Sequence, residues 1–417
     1  MNQMNFFEQY AKVVTRVGLN IQPGQELYVR APIETAEFVP FVAREAYRIG
    51  ARYVHVEYRH QEVSRARIED APADSLTYVP PGALAERLRV AGDGGASLAI
   101  LGDDPMGLSG VDPRRKGAVI SALAEASRDI RELQMKDYFP WCVISVPNPV
   151  WAARVFPDLS AAAALERLYD AVAAACRLNA ADPVEAWTDH SNRLTRLAAW
   201  LTERAFHRFI YSAPGTDLEI TMPDGQTWIG TEGRSAGGVS FIANIPTDEV
   251  FCAPHRLKVN GTVRSTRPLV LSGTNVGKVD FVIRDGRIVE ASCEGDRDVL
   301  EQELDLDEAA RYLGEIAFVS EDAPIARLGT TFYDGLYDEN AGCHLAFGAA
   351  YANCIAGGGE MDRAARMAAG LNQSNQHADF TVGSRELTIT AVTAEGREFP
   401  FMQEGRWSPE TEEAAGL

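Results

Sequence analysis

The chain has 417 residues, 46% of them hydrophobic, and carries 40 Lys and Arg against 59 Asp and Glu. This length exceeds what a single hydrophobic core ordinarily serves, so we expect two globular domains. The formal net charge of −19 argues against binding to nucleic acid or to an anionic membrane surface, because both would repel the chain.

Several features favour a cytoplasmic location. The first residues lack the basic, apolar and small-residue segments of a secretory signal, and no apolar stretch reaches the roughly 20 residues of a membrane-spanning helix. The six cysteines are scattered and form no CxxC pair. We therefore expect a cytoplasmic protein that keeps its thiols reduced.

The first half of the chain alternates between helix and strand patterns. Apolar spacing predicts helices over residues 6–17, 35–50 and 116–133, and apolar runs predict strands over 26–32, 52–58, 96–104 and 141–148. Residues 151–207 follow a nearly continuous helical pattern. Strands separated by helices are typical of a mostly parallel sheet. We therefore expect an α/β N-terminal domain over residues 1–185.

The second half is rich in strand and hairpin signals. Asp-Gly, Asn-Gly and Glu-Gly pairs at 224–225, 260–261, 285–286 and 395–396 stand between alternating β-branched residues. Helical inserts are predicted near 301–312 and 362–370, and we expect residues 409–417 to be frayed. These signals predict a β-rich α+β domain over residues 186–417.

Side chains of the kind that bind metals occur repeatedly in this β-rich half. The stretch NQSNQHADFTVG ends like a strand, and because residues two apart share a strand face, His377 and Asp379 would project side by side. Further candidates stand in the stretches NIPTDEVFCAPH, ARYLGEIAFVS and YDENAGCHLAFGAAY. They are Asp248, Glu249, His255, Glu315, Asp338, Glu339, His344 and Tyr351.

Each candidate also has an ordinary structural interpretation. The H-x-D pair suits a polar strand edge. Glu315, in apolar surroundings, is either a surface residue or a buried one with a compensating partner. His344 and Tyr351 stand seven apart in a helix-like run, so both would share a stripe that faces the core. Glu339 would cap the same helix.

Taken together, the candidates indicate a metal site. Three glutamates, two histidines and one aspartate offer only oxygen and nitrogen ligands, which suits two divalent ions and leaves Zn, Co, Mn and Mg open. Paired ions serve the hydrolysis of amides and phosphates, and the lack of a Lys- or Arg-rich phosphate clamp nearby favours amides. The residues of this set are Glu249, Glu315, Glu339, His344, His377 and Asp379.

Other catalytic motifs receive no support. The glycines of VAGDGGASLAI precede a strand instead of following one, which predicts a turn and argues against a dinucleotide site. The sequence also has no P-loop, no G-x-S-x-G and no HExxH.

The second half contains, in this order, the motifs NIPTDEVF.APH, YLGEIAFV, LYDENAGCHLAFGAAY and N.S..H.DF..G. These four motifs resemble those of the thermophilic-type metalloaminopeptidases, the family of aminopeptidases T, S and II. Segments such as GLNIQPGQELYVRAP and AYRIGARYVHVEY extend the likeness over nearly the whole chain. The resemblance implies an α/β domain followed by a β-rich catalytic domain, and a homodimer. It also implies two divalent ions that serve the removal of N-terminal residues from peptides with a free N-terminus.

Carried onto this sequence, the same resemblance assigns the site residues. Tyr351 would stand beside a set of metal ligands in which Glu315 bridges. We hypothesise that Glu315 accepts a proton from the attacking water and that Tyr351 donates to the developing oxyanion. The implied ligands are Glu249, Glu315, Glu339, His344, His377 and Asp379.

Two alternative functions remain open from the sequence: a two-metal amidase of small metabolites, and an inactive relative that binds peptides. Asn375, Gln376 and Thr381 also replace the apolar residues and the Met that the family usually has there. None of the three is an implied ligand. They belong to the neighbourhood of the site, so no preference for a particular N-terminal side chain is predicted.

Overall fold

The computed structural model describes all residues from Met1 to Leu417. None of its helices combines the length and the apolar character needed to cross a membrane. A π-helical turn, Val14–Gly18, continues the first helix. The helices are α1 (Gln3–Val13), α2 (Val39–Ile49), α3 (Gln61–Asp70), α4 (Ala85–Gly92), α5 (Pro113–Ala126), α6 (Arg128–Met135), α7 (Pro149–Val155), α8 (Ala161–Ala175), α9 (Pro183–Arg204), α10 (Arg297–Leu304), α11 (Pro324–Leu328), α12 (Gly335–Asp338), α13 (Arg363–Ala368) and α14 (Pro409–Ala415).

The strands outnumber the helices and are concentrated after residue 208. They are β1 (Glu26–Pro32), β2 (Tyr53–Arg59), β3 (Ala96–Leu101), β4 (Trp141–Ser145), β5 (Arg208–Ala213), β6 (Thr216–Thr221), β7 (Glu232–Arg234), β8 (Ser240–Ile242), β9 (Asn244–Ile245), β10 (Val250–Cys252), β11 (Val259–Arg264), β12 (Leu269–Leu271), β13 (Thr274–Gly277), β14 (Val279–Arg284), β15 (Arg287–Cys293), β16 (Leu313–Phe318), β17 (His344–Gly348), β18 (His377–Thr381), β19 (Thr388–Val392), β20 (Glu398–Gln403) and β21 (Arg406–Trp407).

The chain divides into two compact units. The first comprises Met1–Thr188 together with Glu232–Pro246, and the second comprises Asp189–Thr231 together with Thr247–Leu417. The domain boundary that we placed between residues 185 and 186 stays a prediction about independently folding domains.

The first unit is built on a parallel sheet with the strand order β2-β1-β3-β4-β9. The interior strand β1 carries Leu27, Tyr28 and Val29, which are all buried although they point to alternate faces. Burial on both faces is what helices on both sides of a parallel sheet produce. Gly50 ends α2 in the left-handed conformation, at φ 111°, as its position after the helical pattern predicts. The expected α/β region is confirmed.

The second unit contains two large antiparallel sheets and a two-stranded one, β12-β13. Of the large sheets, one has eight strands in the order β15-β14-β11-β6-β5-β19-β20-β21, and the other has four in the order β10-β16-β17-β18. Every residue of β16 and β17 is buried. The ring of Phe318 at the end of β16 lies 5.0 Å from that of Trp228 and 4.6 Å from that of Phe401. The expected β-rich α+β region is confirmed, and the four-stranded sheet is the one that matters for the site.

Several local predictions need correction. The helical pattern over 116–133 breaks at Ser127 into α5 and α6. The pair Asn260-Gly261 lies inside strand β11 and forms no hairpin turn, whereas the turns at 285–286 and 395–396 do join paired strands. The C-terminal residues are not frayed, because Ser408 caps α14, and Thr411 and Ala415 are buried.

Candidate metal centre

Strand register brings four of the predicted residues onto one face of the four-stranded sheet. Ala346 of β17 lies opposite Glu315 of β16 on one side and opposite Asp379 of β18 on the other. Directly opposite residues share a face, and so do residues two apart on one strand. His344 and His377 therefore project from the same face. The prediction that His377 and Asp379 share a strand face is confirmed.

The other face of the same three strands is apolar. Ile316, Leu345 and Phe380 form the row next to Glu315, Ala346 and Asp379, and all of the apolar row belongs to the hydrophobic core. This alternation shows why the run after His344 is a strand and not the helix that we predicted: its large apolar side chains recur every second residue.

Glu249 reaches the centre from a neighbouring strand. It directly precedes β10, which pairs with β16 so that Val250 lies opposite Phe318. Its carboxylate oxygen Oε2 lies 3.1 Å from His344 Nε2. Although Glu249 and His344 are far apart in sequence, the antiparallel pairing places them in contact.

The ligand-type atoms form two groups that share one residue. In the first group, Glu249, Glu315 and His344 have ligand atoms within 4.8 Å of one another, and the same holds for Glu315, His377 and Asp379 in the second. Glu315 Oε1 lies 3.5 Å from His344 Nε2, and its other oxygen lies 3.7 Å from His377 Nε2. Glu315 therefore turns one oxygen toward each group.

Both histidines present the same nitrogen to the carboxylates. His344 Nδ1 lies 3.2 Å from the carbonyl oxygen of Gly342, and His377 Nδ1 lies 2.8 Å from that of Ala349. A carbonyl oxygen only accepts, so each Nδ1 carries a hydrogen and donates it. This leaves each Nε2 directed at the carboxylates, which is how backbone carbonyls orient metal-binding histidines.

The centre concentrates negative charge in a buried place. Burial raises the pKa of Glu315, and burial together with the charges of Glu249 and Asp379 raises the pKa of Glu339 well above its ordinary value. The ion-pair partners of Glu249, Glu315 and Asp379 are histidines, and no Lys or Arg pairs with any of the four carboxylates. Buried carboxylates without such partners require another cation or protons.

The two histidines supply part of the missing positive charge. Burial by itself lowers the pKa of His344, but its hydrogen bonds to Glu249 and Glu315 outweigh this and raise it well above the ordinary value. Burial by itself also lowers the pKa of His377, but the charge of Asp379 outweighs this and the pKa of His377 is raised to about 10. In the metal-free protein, protons on these rings therefore offset the carboxylates, and a divalent cation would take their place.

The residues present fit a metal. Asp379 Oδ1 is buried and accepts no hydrogen bond, since His377 Nε2 is its nearest partner at 3.5 Å, a length at which hydrogen bonds are weak. The donor set is carboxylate oxygen and imidazole nitrogen, which divalent ions such as Zn, Co and Mn accept. An unsatisfied buried oxygen is unfavourable by itself, and coordination would satisfy it.

Two predicted residues lie outside both groups. Glu339 sits in a short 3-10 turn ahead of β17, and Asn340 Nδ2 donates to its Oε1 at 3.4 Å. Tyr351 follows β17, with its ring centroid 5.6 Å from that of His377 and 5.5 Å from that of Phe251. With 36% of its surface exposed, Tyr351 lies at the edge of the cluster.

Three other candidates from the sequence make ordinary contacts. Asp338 accepts hydrogen bonds from the backbone nitrogens of Phe332 and Asp334 at 2.7 and 3.1 Å, so it closes a turn. His255 Nδ1 accepts from a nearby backbone nitrogen. Asp248 lies 3.4 Å from His190. None of the three belongs to either group of ligand atoms.

The first unit contains a third group of ligand-type residues, whose negative charge, unlike that of the metal centre, is neutralised by an arginine. Glu26, His55 and Glu86 also lie within 4.8 Å of one another. However, Arg89 Nη2 lies 2.6 Å from Glu26 and 2.9 Å from Glu86. The guanidinium already neutralises these carboxylates, and the pKa of Glu26 falls to about 2 mainly because of its bond to Arg89. The group needs no other cation.

Sequence reasoning missed Asn340. This side chain is fully buried and contacts both the segment that carries Glu249 and the side chain of Glu339. The only signal was its place between Glu339 and the glycine before the next strand, which suits a simple turn equally well.

The chain is similar to known proteins over nearly its whole length. The family model described as thermophilic metalloprotease (M29) matches residues 4–407. The chain is 37% identical over 401 residues to aminopeptidase 2 of Geobacillus stearothermophilus, with 96% of this chain and 97% of that protein covered. It is 39% identical over 402 residues to aminopeptidase T of Thermus thermophilus, with 96% and 98% covered.

A solved structure gives the same result for the fold. The chain superposes on wild-type AmpT from Thermus thermophilus with a TM-score of 0.92 and 38% sequence identity, covering 97% of this chain and all of that one.

Proposed function

Since the chain belongs to the thermophilic metalloprotease (M29) family and is a metallo-aminopeptidase, we propose that it holds two divalent cations, one at each of the two groups that share Glu315. It uses divalent metal to hydrolyse peptides and releases their N-terminal residues. The position of Glu315 carries the proposal, because each of its carboxylate oxygens faces a different histidine Nε2.

The proposed ligands divide along these groups. Glu249 and His344 would hold one cation, His377 and Asp379 would hold the other, and Glu315 would bridge. Glu339 would complete the set, since the charges of Glu249 and Asp379 act on its buried carboxyl and raise its pKa. Two cations held by these residues would supply Lewis-acid activation of water and of the scissile carbonyl.

The chain's own residues supply the proton steps in this proposal. Glu315 would accept the proton of the attacking water at a carboxylate oxygen, because its two oxygens face the two groups of ligand atoms. The Tyr351 hydroxyl donates to the carbonyl oxygen as negative charge develops there. Its ring contacts with Phe251 and His377 keep it beside the centre.

The acidic centre also suits the free amino end of a peptide substrate. A peptide with a free N-terminus brings a positively charged amine, and the four carboxylates Glu249, Glu315, Glu339 and Asp379 attract positive charge. N-acetylation removes that charge. This is why we propose free-amine peptides as the substrates, ahead of small metabolic amides.

The test compares matched chromogenic substrates. Aminoacyl-nitroanilides should be hydrolysed, their N-acetylated counterparts should not, and chelation should stop the reaction until a single metal is returned. Equal hydrolysis of the blocked and unblocked substrates would favour a general amidase instead. Binding of peptides without any turnover after metal reloading would favour an inactive relative.

Two further points belong to the same proposal. We propose that the protein acts in the cytoplasm, because its six cysteines are free thiols, and that it assembles as a homodimer, as the family resemblance implies. Fractionation of the native cells and sedimentation of the purified protein test these points independently of activity.

A further inference from the structure

Asn340 is a fully buried amide that lies between two of the segments that form the metal centre. Its exposed fraction is 0%. Its Oδ1 accepts a hydrogen bond of 2.7 Å from the backbone nitrogen of Asp248, a residue 92 positions earlier in the chain. Its Nδ2 donates to the carbonyl oxygen of Leu336 at 3.0 Å and to Glu339 Oε1 at 3.4 Å. Every polar atom of this side chain is therefore in use.

These bonds join the segment of Glu249 to that of Glu339. Asp248 immediately precedes Glu249, so the bond to its backbone nitrogen fixes where the Glu249 side chain begins. The carbonyl oxygen of the same peptide group, which is that of Thr247, is 2.8 Å from Nε2 of His190. The peptide group between Thr247 and Asp248 is thus held at both of its polar atoms, immediately before Glu249 reaches His344.

The bond to Glu339 acts directly on a carboxylate. Burial and the charges of three neighbouring carboxylates disfavour the charged form of Glu339. The Nδ2–H group of Asn340 donates a hydrogen bond to Glu339 Oε1 and favours that form. A donor from a neutral amide stabilises the carboxylate without competing for a cation, which an Arg or Lys would do.

We propose that Asn340 is a positioning residue that fixes Glu249 and Glu339 relative to each other and so sets the affinity of the centre for metal. The inference rests on the proposed function, because it assumes that these carboxylates hold a cation. A role in folding alone would make the same contacts, so the test must separate metal affinity from stability.

Two substitutions remove the contacts in different ways. Asn340→Ala removes all three hydrogen bonds and leaves a void. Asn340→Leu removes the same bonds but keeps the branched shape of the side chain and adds no charge, so it tests the proposal if the alanine variant does not fold. Asn148→Ala is the matched control, since Asn148 is also buried, accepts from the backbone nitrogens of Val150 and Trp151, and donates to Gly102.

The experiment titrates metal-free protein with Zn²⁺ in competition with a chromophoric chelator, and measures thermal stability in the same samples. We expect Asn340→Ala and Asn340→Leu to bind Zn²⁺ about 10- to 100-fold more weakly than the unchanged protein, which is the usual effect of losing a residue that supports metal ligands. We expect Asn148→Ala to lower the melting temperature and leave the Zn²⁺ affinity unchanged.

Steady-state kinetics give a second readout. At limiting Zn²⁺ the Asn340 variants should lose kcat, at excess Zn²⁺ they should regain much of it, and KM for an aminoacyl-nitroanilide should stay close to that of the unchanged protein. Unchanged Zn²⁺ affinity in both Asn340 variants would overturn the proposal, as would an equal loss in Asn148→Ala. If the unchanged protein binds no Zn²⁺, Co²⁺ or Mn²⁺, the proposed function itself fails.

Discussion

Glu315 and Asp379 lie on either side of Ala346, each directly opposite it on a neighbouring strand. Ala346 is fully buried, and its methyl group is the only side chain between the two carboxylates in that row. A small residue there leaves the space into which the ligands converge. The architecture of the centre thus depends on a residue that carries no functional group.

A larger side chain at this position should interfere with the metal. We expect Ala346→Val to place methyl groups between Glu315 and Asp379, weakening metal binding by about 10-fold or more and lowering kcat. The overpacking itself should destabilise the fold by about 1–3 kcal/mol. Ala391→Val is the control, because Ala391 is equally buried but lies in β19 of the other sheet. Metal titration and denaturant unfolding measure the two effects, and normal metal binding in Ala346→Val would contradict the expectation.

Neutralising Glu315 should stop catalysis without unfolding the protein. Glu315→Gln keeps the size of the side chain but removes the charge that both groups share, so we expect a fall in kcat of about 10²–10⁴-fold, the range for losing an acid–base group. Glu45→Gln is the control, since Glu45 is buried but pairs with Arg16 and Arg48. That variant should lose stability and keep its turnover. Near-normal activity of metal-loaded Glu315→Gln would refute the assigned role.

Tyr351 offers a test that separates catalysis from metal binding. Tyr351→Phe removes the hydroxyl and keeps the ring that contacts Phe251 and His377. We expect kcat to fall by about 10²-fold, as for one lost oxyanion donor, while the metal affinity stays unchanged because Tyr351 belongs to neither group of ligand atoms. A variant with full kcat would show that another donor serves the oxyanion.

The charge on His377 predicts a pH dependence of the metal-free protein. Its folded-state pKa is raised from 6.5 to about 10, so its contribution to stability is fully present below pH 6.5 and is lost as the pH rises through about 10. Thermal unfolding of chelated protein between these values should show the decline, and His377→Gln should remove that part of it. Metal binding near neutrality should also release protons, which calorimetry in buffers of different ionisation enthalpy would detect.

How far the sequence predicted the centre can be judged from individual residues. His377 and Asp379 were predicted correctly to share a face, because a two-residue period is a local property of a strand. His344 and Tyr351 were wrongly placed on a helix, since the short apolar run LAFGAAY fits both periods and only its pairing with β16 and β18 decides between them.

Other features lie beyond local patterns. Whether Glu315 was buried with a partner or exposed depended on strands that the sequence alone does not align, and its ion-pair partners are His344 and His377. The bond between Asn340 and Asp248 joins residues 92 positions apart, which no spacing rule anticipates. The α/β and β-rich regions, in contrast, were predicted from periodicity and turn residues alone and are confirmed.

The buried strands β16 and β17 have a consequence for how the enzyme loads its metal. Glu315 and His344 lie on paired strands whose other face is buried in the hydrophobic core through Ile316, Leu345 and Phe347. Their amide hydrogens should therefore be among the slowest in the chain to exchange with solvent. Apoprotein and loaded protein would then share the same backbone there. Metal would then bind to a preformed site. The rate of binding would be governed by desolvation of the ion and by release of protons from the ligands, not by refolding of the polypeptide.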